Sequence, residues 1–194
     1  VKEYRESLEI EPRNFMAIYG LARTLNYQKQ YQSAIEELEK AKEPIVIFSH
    51  QGMGTINGIE NQQELRAILE QHNASTRKAK IIVCFNGHTH ADIAEEIHGI
   101  WYITINSMAY EWLGEEYGHI RYSEEVDKNF KWIKFTAPYK DALFTVVEIS
   151  TDGYIKMSGK KSEWVGPSPW ELGFPEEHKE YIKPEITQRK LLFD

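Results

Sequence analysis

Val83-Cys84-Phe85-Asn86-Gly87-His88-Thr89-His90-Ala91-Asp92 decides how this chain is read. An apolar run of strand length breaks at Asn86-Gly87 and delivers two histidines, two residues apart. A run of the same form lies upstream, where Ile45-Val46-Ile47-Phe48 is followed by Ser49-His50-Gln51-Gly52. Each run reads as a buried strand that ends in a histidine-bearing turn. In open α/β sheets, sites gather at the carboxyl ends of strands. Both turns sit at such ends.

The spacing has a chemical sense. Residues two apart in an extended segment project to the same side, about 6.5 Å apart. His88 and His90 can therefore serve two neighbouring cations, or clamp one if the turn tightens. Gly87 lets backbone and metal approach closely because it has no side chain. Imidazole is a good ligand for zinc, iron and manganese. His50, His88 and His90 are the candidate metal ligands. Asn86 and Gly87 shape the turn, and Asp92 or a backbone carbonyl can orient a ring from behind.

Working outward, Glu60–Gln71 reads as a helix with Leu65, Ile68 and Leu69 on one face. The second strand spans Ala79–Phe85. Ile93–Ile97 and Ile100–Ile105 flank His98-Gly99, and Leu143–Ile149 and Tyr154–Ser158 flank Thr151-Asp152-Gly153; both read as hairpins. Residues 107–141 are irregular, aromatic and charged. Residues 161–194 hold four of the seven prolines and read as a wandering tail. Strand, helix, strand and then hairpins predict an α/β fold finishing in β structure.

Residues 1–43 have a different period. Apolar residues recur at three and four positions in Ile18, Leu21, Ala22 and Leu25, then in Tyr31, Ala34, Ile35, Leu38 and Ala41. With Pro12 ahead of them, Leu21, Ala22, Tyr31, Ala34 and Ala41 resemble the packing residues of a tetratricopeptide repeat. The segment looks like one whole repeat preceded by the second helix of another. Such repeats stand only in arrays, and the chain opens at Val1 in a helical pattern, as a piece of something longer would. The domains expected are thus helices over 1–43, a sheet region over 44–160 and the tail over 161–194.

Gly87-His88-Thr89-His90 resembles the last signature of the calcineurin-like metallophosphoesterases. Phe48-Ser49-His50-Gln51 is similar to the isolated histidine signature that precedes it, and Glu36–Pro44 is similar to the helix ahead of that strand. The likeness covers residues 34–160. It implies a partial β-sandwich flanked by helices, a phosphoester substrate and two divalent ions (Mn, Fe or Zn). His50 and His88 would ligate one ion and His90 the other. The same family uses three earlier signatures: Asp-x-His, Gly-Asp and Gly-Asn-His-Asp/Glu. None occurs in these 194 residues. Three neutral imidazoles cannot offset two divalent ions about 3.5–4 Å apart. The expectation is a hydrolase represented by its late motifs and inactive as this chain, with no catalytic residue assigned. The alternative is a helical-repeat module, binding a protein partner, fused to a non-catalytic remnant.

The rest of the composition sets bounds. The formal charge of -7 argues against a nucleic-acid-binding patch. No apolar run approaches the ~20 residues of a membrane span. No signal peptide opens the chain, and a cytoplasmic setting is favoured for it as given. Cys84 reads as a small core hydrophobe. His72, His98, His119 and His178 read as surface or loop residues. The pairs Glu95-Glu96, Glu115-Glu116 and Glu124-Glu125 read as solvated. Trp101, Tyr102, Tyr110, Trp112, Tyr117 and Tyr122 read as core packing or a cover on the sheet, with a cleft lining as the alternative. Trp164–Trp170 reads as tail packed on its own domain.

Overall fold

A computed structural model describes residues 36, 38, 40–56, 58–77 and 79–193. The repeat-like reading of 1–43 falls almost wholly outside these residues. The fold is mixed α/β, and the chain divides into two compact units. The first comprises residues up to Asn86 together with Glu95–Tyr102; the second comprises Gly87–Ala94 and Ile103 onward. Among the described residues, no helix is long and apolar enough to cross a membrane.

In the first unit, β1 (Ile45–Phe48) pairs in parallel with β2 (Ile81–Asn86). Ile45 faces Ile81, and Val46 faces Val83, so Ile82 is an extra residue in β2. A parallel pair needs a crossover, and α1 (Gln62–Ser75) lies within it. The end of α1 is tied to the start of β2 by one side chain. Asn73 Nδ2 donates to Ile81 O at 2.8 Å, and Ile81 N donates to Asn73 Oδ1 at 2.7 Å. His72 is buried and bonds Ala79 O through Nε2 at 2.8 Å. That corrects its surface reading: the helix runs four residues past the predicted end and carries His72 inward.

β3 (Ile93–Ile97) and β4 (Ile100–Thr104) complete a four-stranded sheet in the order β1-β2-β4-β3. Their two-residue turn has positive φ at His98 (50°) and Gly99 (79°), the geometry that matches strand twist. His98 is exposed and pairs with Glu70 at 2.9 Å. All six residues of β2 are buried, which suits a central parallel strand. Met53, Leu69, Ile81, Cys84, Ile100 and Tyr102 form the core, with Leu38, Ile45, Ile47, Leu65 and Ile97 packed on it. Burial pushes the Cys84 thiol pKa up, so the group stays a neutral hydrophobe.

The second unit contains a two-stranded ribbon, β5 (Tyr110–Trp112) with β6 (Thr136–Pro138), and a short helix α2 (Glu124–Asn129) between them. It also contains a three-stranded antiparallel sheet of β7 (Thr145–Ser150), β8 (Tyr154–Gly159) and β9 (Arg189–Leu192). The β7–β8 loop turns at Gly153, φ 81°. β9 lies in the segment expected to wander. It pairs along β8, with Ile155 opposite Leu191. Trp164 bridges back to Tyr139, their rings 5.2 Å apart. The four prolines interrupt this segment without freeing it, because long-range pairings tie it down on either side of them.

Gly159 ends β8 against Ile186, and a Cβ there would overlap the Ile186 carbonyl oxygen. Gly159→Ala is expected to lower stability by about 1–3 kcal/mol, the usual cost of overpacking. A shift of the urea midpoint to lower concentration checks this; an unchanged midpoint would show that the backbone yields freely.

Candidate functional site

The first histidine turn follows β1 directly. Ser49 N donates to Phe85 O at 2.9 Å, which extends the β1–β2 ladder by one residue. Ser49 Oγ then donates to Gln51 O at 2.7 Å and closes the turn, leaving His50 exposed at its tip. Gly52 sits against the Asn86 side chain; a Cβ there would lie 3.3 Å from Asn86 Oδ1. Gly52 also bridges Gly58, and Arg66 Nη1 donates to Met53 O at 2.7 Å. The turn is therefore a built structure, held by the first helix and the neighbouring strand. Asn86, which leads into the second turn, thus lies against the first.

The second turn follows β2. Gly87 leaves the strand, His88 is exposed and His90 is half-buried. His90 has φ 51°. Left-handed backbone in a non-glycine residue costs roughly 1–2 kcal/mol. A hairpin accounts for the same conformation at His98, but His90 is in no hairpin. Strain of this kind collects at functional positions. The His90 ring meets the Tyr110 ring edge-on, with centroids 5.1 Å apart. His50 belongs to the first unit, and His88 and His90 belong to the second.

Asp92 has partners other than a histidine ring. Its carboxylate accepts from Arg189 Nη1 at 2.7 Å, Lys183 Nζ at 3.0 Å and Thr187 N at 3.2 Å, and also from the Thr187 hydroxyl. Burial pushes the carboxyl pKa up, but the hydrogen bonds from Arg189, Thr187 and Lys183 outweigh it and hold the group below its usual range. Asp92 N donates to Tyr181 O at 2.9 Å. The residue two positions after His90 thus anchors the C-terminal segment. Among the described residues, no group of three or more His, Cys, Asp or Glu side chains is arranged to hold a metal ion.

Sequence reading missed Glu111. It lies in β5 between exposed Tyr110 and Trp112, and it points inward with only 5% of its surface exposed. Its Oε2 has no hydrogen-bond partner among the described residues. Burial pushes the carboxyl up to about 9, against the opposing pull of the Trp112 backbone N–H. Tyr139 lies near enough for the charge on Glu111 to raise its hydroxyl pKa, after burial, and Tyr139 donates to Asn106 Oδ1 at 3.0 Å. Burial, then the charges of Glu177 and Glu111, raise the Tyr181 hydroxyl pKa as well. Sequence carried no signal for this, since alternation alone does not say which face of Tyr110-Glu111-Trp112 turns inward.

No family model, no curated protein and no solved structure matches this chain.

Two outcomes follow from these carboxylates. Asp92→Ala leaves Arg189 and Lys183 without their shared anion, and stability is expected to fall by about 3–5 kcal/mol. Urea unfolding followed by tryptophan fluorescence checks it, and a loss below that of an ordinary surface change would rule out the anchor. Glu111 acts with the opposite pH sign. The folded chain keeps a proton that the unfolded chain has released between 4.5 and about 9. Stability therefore falls as pH rises through that window, by up to about 1.4 kcal/mol per pH unit. Glu111→Gln should flatten this slope; identical slopes for the two proteins would show that Glu111 ionises freely.

Proposed function

We propose that this chain carries the late histidine turns of a calcineurin-like metallophosphoesterase, a β-sandwich flanked by helices, and that it does not turn over phosphoesters by itself. The observation that carries this reading is the strand pairing. β1 and β2 are parallel neighbours whose carboxyl ends lie level, with Phe48 opposite Phe85. His50 is the second residue after β1, and His88 is the second after β2. Parallel strands that each end in a glycine–histidine turn are what a carboxyl-end site requires. The left-handed backbone at His90 adds support.

The donor set does not fit a pair of divalent ions. It comprises three neutral imidazoles, and the nearest carboxylate in sequence, Asp92, is already committed to Arg189, Lys183 and Thr187. The charge of two cations at close range needs bridging anions. No catalytic step is derived through such a centre. A phosphoester substrate belongs to the completed site, which needs carboxylates that this sequence does not supply.

The test has two parts. p-Nitrophenyl phosphate hydrolysis with added Mn, Zn or Fe should not exceed the metal-only blank; turnover that vanishes in His88→Ala would overturn the inactive reading. Equilibrium dialysis with the same ions checks the histidines separately. Any ion they hold should bind more than about tenfold more weakly in His50→Ala and in His88→Ala. Equal retention by both variants and the parent would remove these residues from any metal role.

A further inference from the structure

Three exposed aromatic side chains of the second unit lie on or against one turn. Phe130 is 63% exposed, Trp132 65% and Trp112 46%. Trp112 and Trp132 have ring centroids 6.4 Å apart, and both pack on Phe135, at 6.4 and 5.9 Å. The turn is held rigidly. Phe135 O accepts from Leu113 N at 2.9 Å and Gly114 N at 3.1 Å, and Lys134 O accepts from His119 N at 2.8 Å. The apolar surface is therefore displayed by a fixed scaffold.

The charge on this turn runs against the chain. The whole protein is at -7, yet residues 128–135 read Lys-Asn-Phe-Lys-Trp-Ile-Lys-Phe, with three lysines and no acid. Glu124, Glu125 and Asp127 lie in the first turn of α2, ahead of the lysines. Lys134 Nζ lies 5.4 Å over the Phe135 ring. Lys128 and Lys131 are exposed beside Phe130 and Trp132.

We propose that the surface formed by Trp112, Lys128, Phe130, Lys131 and Trp132 docks onto an anionic phospholipid bilayer. Rings two-thirds exposed stand proud of the surface, which suits insertion into a soft interface better than filling a rigid groove. Tryptophan is favoured at the headgroup level, where an apolar body and a polar N–H are both satisfied. Flanking lysines supply attraction to anionic headgroups. Base stacking favours ring faces that lie flat and parallel, whereas here the three rings are tilted against one another at 43°, 67° and 56°.

The test is flotation of the full chain with vesicles of phosphatidylcholine alone, or of phosphatidylcholine and phosphatidylserine in equal parts. Binding is expected only to the anionic vesicles, with a blue shift of tryptophan emission and weakening by salt. Lys128→Ala with Lys131→Ala should lower the partition coefficient roughly 30-fold. Phe130→Ala with Trp132→Ala should abolish the blue shift. Because these side chains are exposed, unchanged circular dichroism would confirm that the variants fold. No binding to anionic vesicles, or equal binding by parent and variants, overturns the proposal. So does a single-stranded oligonucleotide, or a self-association seen by gel filtration, that is lost in the same variants while vesicle binding is not.

Discussion

The structure of the first unit depends on β1 lying in parallel against a strand that is buried along its whole length. β2 has no polar face, so it is stable only with a neighbour on each side and a helix against it. β1 supplies one neighbour and β4 the other. The contact also sets where the chain turns. Because Ile82 is extra, the two strands reach Phe48 and Phe85 together. The stacked rings of these residues, 5.3 Å apart, close the pair just before both turns. Gly52 against Asn86 continues that contact past the ends of the strands. The placement of His50 is thus a consequence of core packing.

What was legible in the sequence was local. Ile45–Phe48 emerges with the bounds that its apolar run and flanking proline imply. Both hairpins were readable because His98-Gly99 and Thr151-Asp152-Gly153 carry their own turn chemistry. The ends of α1 and β2 were less legible. α1 continues to Ser75, past His72 and Asn73, because those polar side chains bond to the Ala79–Ile81 backbone. Sequence periodicity weighs such residues as helix-ending, since it cannot see a partner eight positions on. The strand within 161–194 was hidden for the same reason at longer range. Its prolines are local signals, whereas the bonds between Asp92 and Thr187 or Arg189 span 95 and 97 positions.

Glu111 shows the limit of pattern reading from the other side. Reading Tyr110-Glu111-Trp112 by hydrophobicity puts the aromatics inward. The ribbon does the reverse and buries the carboxyl with one oxygen unsatisfied. A carboxylate there would bear the full desolvation cost, so the group is held protonated at neutral pH. The second unit therefore places two tryptophans and a phenylalanine at its surface and a titratable acid inside. Local consistency, the usual guide to a well-specified fold, is broken at this ribbon.

The two buried acids of this unit differ in what neutralises them. Glu111 is neutral because it keeps its proton. Asp92 is charged, but one anion faces two cations, Arg189 and Lys183. The local sum around Asp92 is positive, two residues from His90. A divalent ion on His88 or His90 would meet that excess, and among the described residues no group of three or more His, Cys, Asp or Glu side chains is arranged to offset it. Its binding would then depend on imidazole donation alone, which suffices for a single soft or borderline ion and falls short for a closely spaced pair. The Asp92 carboxylate, two positions after His90, is thus committed to holding the C-terminal segment in place.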